Sequence, residues 1–427
     1  MQKNDPKVIK GWAMFDWANS AYSLVISTAV FPPFFASIAP DDVSLFGYSI
    51  DSNSLYSYSV SLAFLLIAFL IPMLSGIADY SGKRKSFLKF FTWLGALACM
   101  VLFFFNDGGD VFLGISAFVL GTIGFGAGLV FYNSYLPEIA TEEKYDEVSA
   151  KGYAYGYIGS VILLVVILLM ISFYDSIGLP DSSFAIRLGF FLVGLWWIIF
   201  AYYSFKRLPK DSNTEIDGSV IRKGIDELRQ VAKIVWSQKY TSRFLASYFF
   251  FIAGVNVIIY LASIFAKEEL KFESSDLIIL ILLLQFLATV GAYLFAWLSE
   301  KRGNKFSLMV QIIIWIFICG FASFTENSTH FYILSGFVGL VFGGIQSLSR
   351  SSYSKFLIDE SVPLTSYYSF YDVLTKVAIV GGTFMFGLVN QMTGSMRNSI
   401  LVLSFFFIVG AVILSTVKFD KSKAEGY

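Results

Sequence analysis

Twelve stretches of mostly apolar residues, each long enough to cross a bilayer, constrain this chain more than any other feature. A hydrocarbon core of ~30 Å takes about 20 such residues per helix. The stretches run over 11–38, 54–78, 86–106, 111–136, 149–173, 185–206, 242–266, 275–299, 306–325, 331–356, 365–390 and 398–418. With no water in the hydrocarbon layer, a segment must satisfy its own backbone polar groups, and long unalternating apolar runs do so as helices. The expected fold class is therefore an all-α membrane protein with twelve transmembrane helices.

Composition excludes the main alternatives. Hydrophobic residues make up 56% of the 427 and charged residues 15%, against roughly 25% charged in soluble domains. A soluble enzyme of this length would lack polar surface, and no basic stripe suits nucleic acid. The two cysteines, Cys99 and Cys319, lie inside apolar runs, which argues against a disulfide scaffold. The single histidine, His330, sits in a short polar break, so metal clusters and Ser–His–Asp catalysis have almost no material. No metal and no cofactor are expected.

The cations are sorted along the chain. The N-terminus carries Lys3, Lys7 and Lys10, which resembles a signal-peptide start, but the apolar run behind it is too long, contains Asp16 and lacks a small-residue cleavage site. If twelve helices alternate, 26 of the 31 Lys and Arg fall on one side. Only Arg187, Lys267, Lys271 and Arg397 fall on the other, and Lys376 lies near the middle of a span. This excess predicts that both termini face the cytoplasm.

The longest polar stretch, Lys206 to Arg243, divides six helices from six. The expected domains are a bundle over 1–206, a linker over 207–241 and a second bundle over 242–427. Within the linker, Ile225, Leu228, Val231, Ile234 and Val235 have the spacing of an amphipathic surface helix. The halves repeat weakly at an offset of 221: Asp79-x-x-Gly82 matches Glu300-x-x-Gly303, and Tyr132, Leu136 and Glu138 match Tyr353, Leu357 and Asp359. Repeated six-helix halves are a secondary-transporter architecture.

Ionisable groups inside a membrane cost free energy and mark function by default. The third, sixth, ninth and twelfth stretches carry almost none, as supporting helices should. The first aligns Asp16, Asn19, Ser20, Ser23 and Ser27 on one face, and Pro32-Pro33 should kink its outer end. The seventh carries Asn256 and Tyr260, the tenth Gly343, Gln346 and Arg350, and the fourth ends with Tyr132, Asn133 and Tyr135. In the eleventh, Asp372 and Lys376 stand four apart on one face, ~12 and ~18 Å inward from residue 364 at 1.5 Å per residue. Two readings of that pair stay open: a self-neutralised structural pair, or part of a polar cavity for a charged solute. The tyrosines read as interface anchors or packing. Gly156 and Gly159 read as helix contacts, and Lys83-Arg84-Lys85 as a topology anchor or part of a gate.

Ser75-Gly76-Ile77-Ala78-Asp79-Tyr80-Ser81-Gly82-Lys83-Arg84-Lys85 resembles the loop signature between the second and third helices of the major facilitator superfamily. A narrower resemblance is to its vacuole-effluxer-like branch of autophagy-related amino-acid effluxers. It rests on Phe15-Asp16-Trp17-Ala18-Asn19-Ser20-Ala21-Tyr22 with Phe31-Pro32, on Phe131 to Pro137, on Gly152 to Ser160, on Gly343 to Ser351, on Phe370-Tyr371-Asp372 with Lys376, and on Thr393-Gly394-Ser395 with Arg397. One departure is Gly382-Thr383, where the family pattern has Gly-Pro.

The resemblance implies a major-facilitator fold of two pseudo-symmetric six-helix bundles, multi-pass in a bacterial inner membrane. It implies a monomer that moves a small polar solute by alternating access. An amino acid or similar zwitterion is the expected solute, with protons as a coupling partner. The residues expected to bind it are Asp16, Asn19, Asn133, Asn256, Gln346, Arg350, Tyr371, Asp372 and Lys376. Asp79, Gly82, Arg84 and Glu300 are expected to gate. The competing reading is a non-transporting sensor or scaffold that uses 206–243 to bind a partner. An embedded enzyme lacks a nucleophile motif or metal spacing.

Overall fold

The computed structural model describes residues 2–45, 48–212, 220–270, 272, 274–325, 327–357, 364–393 and 395–419. Asp359, Gly394, Lys271 and the polar run 213–219 lie outside them, as do the side chains of Ile225, Leu228 and Tyr260. Twelve helices among the described residues are long and apolar enough to cross a membrane. Spans 1 to 6 are Pro6–Ile38, Ser54–Ser81, Arg84–Phe104, Gly108–Ile139, Glu142–Ser172 and Ser182–Phe205. Spans 7 to 12 are Lys239–Ile259, Asp276–Arg302, Asn304–Ser323, Ser328–Lys355, Leu364–Thr393 and Met396–Ser415. The linker carries one more helix, Val220–Ser237. A short antiparallel hairpin, Asp42–Leu45 with Tyr48–Asp51, joins spans 1 and 2, and sequence reading did not anticipate it.

Span 1 starts on an N-cap: Asp5 accepts from the Lys7 amide at 2.8 Å, with Pro6 in the first turn, where a missing N–H costs nothing. It is not one regular helix. Pro6–Ala21 is α-helical, Tyr22–Val30 is π-helical, and Phe31–Ile38 is α-helical again. Pro32 and Pro33 remove two backbone donors, so they stand at the start of the restarted helix. Span 11, with Gly382-Thr383 in place of Gly-Pro, is one unbroken helix of 30 residues.

The chain forms two compact units: residues 1–135 with 155–225, and residues 136–154 with 226–427. Span 5 thus contributes its first turns to the second unit and the rest to the first.

In the first unit small residues let backbones meet. A Cβ on Gly124 would lie 2.5 Å from the Gly95 backbone, bringing spans 3 and 4 together. Gly156 and Gly159 of span 5 receive Ser20 and Trp17 of span 1. The end of the bundle is tied by Lys85 and Asp211. The Lys85 ammonium donates to the Leu208 carbonyl at 2.8 Å, and its amide donates to Asp211 Oδ1 at 2.6 Å. Lys85 is therefore a buried structural tie, beyond any role as a topology anchor.

In the second unit the tightest approach is between spans 8 and 10, where a Cβ on Gly291 or Gly343 would run into the backbone of Leu340 or Ala288. Span 12 is held by Ser247 Oγ donating to the Gly410 carbonyl at 2.7 Å and by Trp315 stacked on Phe407. The repeat is visible in the backbone. Gly82 and Gly303, 221 residues apart, both adopt positive φ, 64° and 83°, where a side chain would be strained.

Candidate functional site

In the first unit the polar face of span 1 is buried against span 4. Asp16 is 4% exposed and accepts from the Tyr132 hydroxyl at 2.7 Å. Trp12 and Phe15 stack on the Tyr132 ring, with centroids at 4.6 and 4.9 Å, and Trp12 Nε1 donates to the Tyr132 carbonyl. The 3.6-residue period places Trp12, Phe15, Asp16 and Asn19 on one side of the helix, so one tyrosine serves three of them. Asn19 is fully buried, and its Nδ2 has no hydrogen-bond partner among the described residues. Asn133 is half-buried.

In the second unit a column of rings orients span 11. Tyr371 lies between Tyr248 of span 7 and Tyr353 of span 10, with centroids at 4.4 and 4.9 Å and planes 23° and 20° apart. One turn on from Tyr371, Thr375 exchanges a hydrogen bond with the Tyr248 hydroxyl at 2.8 Å. These contacts set the rotation of span 11 and so the direction of its next residue, Asp372. The Lys376 ammonium sits 3.3 Å from Asp372 Oδ1, both side chains 15% exposed. Asp372 Oδ2 is buried and has no partner among the described residues. A half-satisfied buried carboxylate asks for an explanation.

Arg350 is 2% exposed. Its Nε and one Nη donate to Ser149 Oγ and the Ser149 carbonyl at 2.9 and 2.8 Å, and its plane lies 4.2 Å from the Tyr153 ring centre. Asn256 donates back to the Ile252 carbonyl of its own helix, and Gln346 is half-buried. The structure thus brings Asp372, Lys376 and Tyr371 into one cluster and Asp16 and Asn19 into another. Arg350 is committed to span 5.

Of the expected gating residues, Gly82 caps span 2 in the left-handed conformation. The Arg84 guanidinium lies 4.0 Å over the Tyr135 ring and donates to the Ser134 carbonyl. Asp79 is half-buried, and Glu300 is exposed.

Sequence reading missed one cluster. Asp146, at the start of span 5, meets the Lys355 ammonium at 2.8 Å. It also accepts from Ser299 and from Asn304 Nδ2, each at 2.9 Å. Lys355 donates to Asn304 Oδ1 at 2.6 Å, which closes the ring. All four side chains stand at helix ends, where charge is ordinary, so a search for ionisable groups inside spans passes over them. The one available signal was a cation and an acid at ends that must meet once spans 5 and 10 are neighbours.

Comparison with known proteins follows the same lines. The family model described as vacuole effluxer Atg22 like matches residues 4–145 and 141–427. An MFS-type transporter of Bacillus subtilis (strain 168), YxiO, is 31% identical over 424 residues, which is 99% of this chain and 97% of that protein. Autophagy-related protein 22 of Kluyveromyces lactis is 25% identical, over 88% of this chain and 82% of its own length. In fold, the chain is similar to the E. coli fucose:proton symporter FucP, with TM-score 0.69 at 14% identity over 96% of this chain and 97% of that one. It is also similar to the proton:xylose symporter XylE, with TM-score 0.70 at 13% identity over 96% and 94%.

Proposed function

Because the chain belongs to the Atg22-like vacuole effluxer family and has the fold of a secondary transporter of the major facilitator superfamily, we propose that it moves a small zwitterionic solute, an amino acid or close relative, by alternating access. The observation that carries this reading is the Asp372–Lys376 pair, in which Asp372 Oδ2 has no hydrogen-bond partner among the described residues. Asp372 Oδ2 is a buried acceptor, and Lys376 beside it is a cation. The ammonium of a zwitterion would satisfy that oxygen, where a neutral solute would leave it orphaned. Asn256, Gln346 and Tyr371 supply directional contacts in the same unit, while Arg350 is engaged by Ser149. Making or breaking covalent bonds is not required.

Asp16 is the carboxylate proposed to carry the coupling proton, with Asn19 beside it. It has no cation within one helical turn of its own helix, and a hydroxyl partner tolerates either protonation state by turning. Substrate counterflow that neither acidifies nor responds to a pH gradient would point to another ion. Asp79, Gly82, Arg84 and Glu300 are proposed to control opening on the linker side. In a background lacking Cys99 and Cys319, Asp79→Asn should change thiol labelling of a cysteine placed at Ser349.

The solute is found first by thermal shift. A ligand at a hundredfold excess over its Kd stabilises the folded state by about 2.7 kcal/mol, so amino acids, peptides, sugars and nucleosides can be ranked on purified protein. In proteoliposomes loaded with the hit, Lys376→Ala and Asp372→Asn should each lower uptake roughly 30-fold or more, the cost of truncating one partner of a buried charge pair. The variants must keep the parent's elution profile. Full uptake by either one removes the pair from the site.

A further inference from the structure

Trp236 ends the linker helix 64% exposed, although it is the largest apolar side chain there. It forms one wall of a cavity of about 280 Å³ whose other walls are Val235 of the same helix, Phe249 and Phe250 of span 7, and Phe370 and Leu374 of span 11. The Trp236 and Phe370 rings meet edge to face at 6.3 Å. Among the described residues of the lining, the Ser242 hydroxyl and the Trp236 indole N–H are the polar side-chain groups.

The linker helix is two-faced. Val231 and Val235 are buried against the protein. Arg229 and Lys233 stand seven and three residues before Trp236, on its side of the helix, and both are exposed. Lys239 is exposed one turn before Ser242. Between Glu227 and Lys267 the chain has four cations, Arg229, Lys233, Lys239 and Arg243, and no acid. Arg229 has an acidic neighbour in Asp226, at 3.8 Å, but both side chains are more than half exposed and the pair is weak.

We propose that this groove holds one anionic phospholipid from the leaflet on the linker side. Its acyl chain would lie along Trp236, Phe370 and Phe249, and its headgroup among Arg229, Lys233 and Lys239. Three features favour this occupant. An apolar slot of this volume offers a peptide backbone few hydrogen-bond partners, the Ser242 hydroxyl and the Trp236 indole N–H. An interfacial tryptophan beside a basic amphipathic helix is the arrangement that meets a headgroup layer. From Arg229 to Arg243 every charged side chain is a cation, so a zwitterionic lipid would gain less than an anionic one.

The test uses the full chain with Trp236 as its only tryptophan, the other seven replaced by Phe. It is reconstituted in phosphatidylcholine vesicles containing a low, equal mole fraction of chain-brominated phosphatidylglycerol or chain-brominated phosphatidylcholine. Bromine quenches tryptophan only on contact. The apparent affinity for the anionic lipid should exceed that for the zwitterionic lipid by roughly five-fold per engaged cation. Arg229→Gln, Lys233→Gln and Lys239→Gln together should abolish the preference. Equal quenching by the two lipids would mean ordinary boundary lipid, and absence of quenching would mean a closed groove; either overturns the proposal. If the single-tryptophan protein does not fold, native mass spectrometry of the unmodified chain from mixed micelles replaces it. One bound phosphatidylglycerol must then be retained by the parent and lost by the triple glutamine variant, and identical adducts in the two count against the site.

Discussion

Among the described residues, Asp16 in the first unit and Asp372 in the second are carboxylates inside membrane helices near a tyrosine, and the two are treated differently. Asp16 is held by a hydroxyl, and Asp372 by an ammonium on only one of its oxygens. A third carboxylate, Asp146, is fully engaged by Lys355, Ser299 and Asn304. Removing one partner of such a pair leaves an uncompensated charge, which costs about 3–5 kcal/mol, whereas replacing both by apolar groups can be neutral. Lys355→Ala should therefore lower the thermal midpoint of the purified protein clearly, and Asp146→Leu with Lys355→Met should recover most of the loss. A Lys355→Ala protein that melts with the parent would show that the ring contributes nothing to stability. Asp372 and Lys376 were readable as suspects because charge is rare in apolar helices. Asp146 was not readable, because at a helix end an aspartate is ordinary until its neighbours are known.

At the scale of elements, small residues decide which helices touch. Gly343 faces the Ala288 backbone, so even one methyl group forces spans 8 and 10 apart. Gly320 of span 9 faces open space. Gly343→Ala should cost about 1–3 kcal/mol as overpacking, while Gly320→Ala should gain about 0.5–1 kcal/mol by restricting the unfolded chain. Midpoints from the same detergent preparation compare the two directly, and an equal response would mean that spans 8 and 10 are not in backbone contact. Span 1 teaches a related lesson. Its two prolines were legible as a disturbance, yet the form it takes, a π-helical stretch over Tyr22–Val30, was not. In that stretch the Tyr22 hydroxyl reaches Thr122 and the Phe118 carbonyl of span 4, at 2.7 and 3.2 Å. A partner on another helix selects the turn, and spacing along one helix does not contain that information.

For the molecule as a whole, the sorting of cations makes an orientation prediction. With 26 of 31 cations on one side of an alternating twelve-span chain, both termini and the linker should face the cytoplasm. Alkaline phosphatase is active only outside the cytoplasm. Fused after residue 178, between spans 5 and 6, it should be active; fused in the linker at residue 212, it should be silent. The reverse pattern would invert the assignment. The repeat also extends further than the loop motif from which it was read. Lys85 at the head of span 3 holds the Leu208 carbonyl beyond span 6, and Lys305 at the head of span 9 holds the Val417 carbonyl beyond span 12. Two lysines 220 residues apart do the same work, each closing its own bundle.

The sequence by itself determined the number of spans and the rarity of charge inside the helices. Both follow from the free energy of moving one residue or one segment between water and hydrocarbon, a property each segment carries alone. Only the tertiary structure decided which buried groups are satisfied. Arg350 turned out to be committed to Ser149, Asp146 to be bound on both oxygens, and Asp372 to have one buried oxygen without a partner among the described residues. A hydrogen bond needs two groups within about 3 Å in a set direction, and helices far apart in the chain supply the second group.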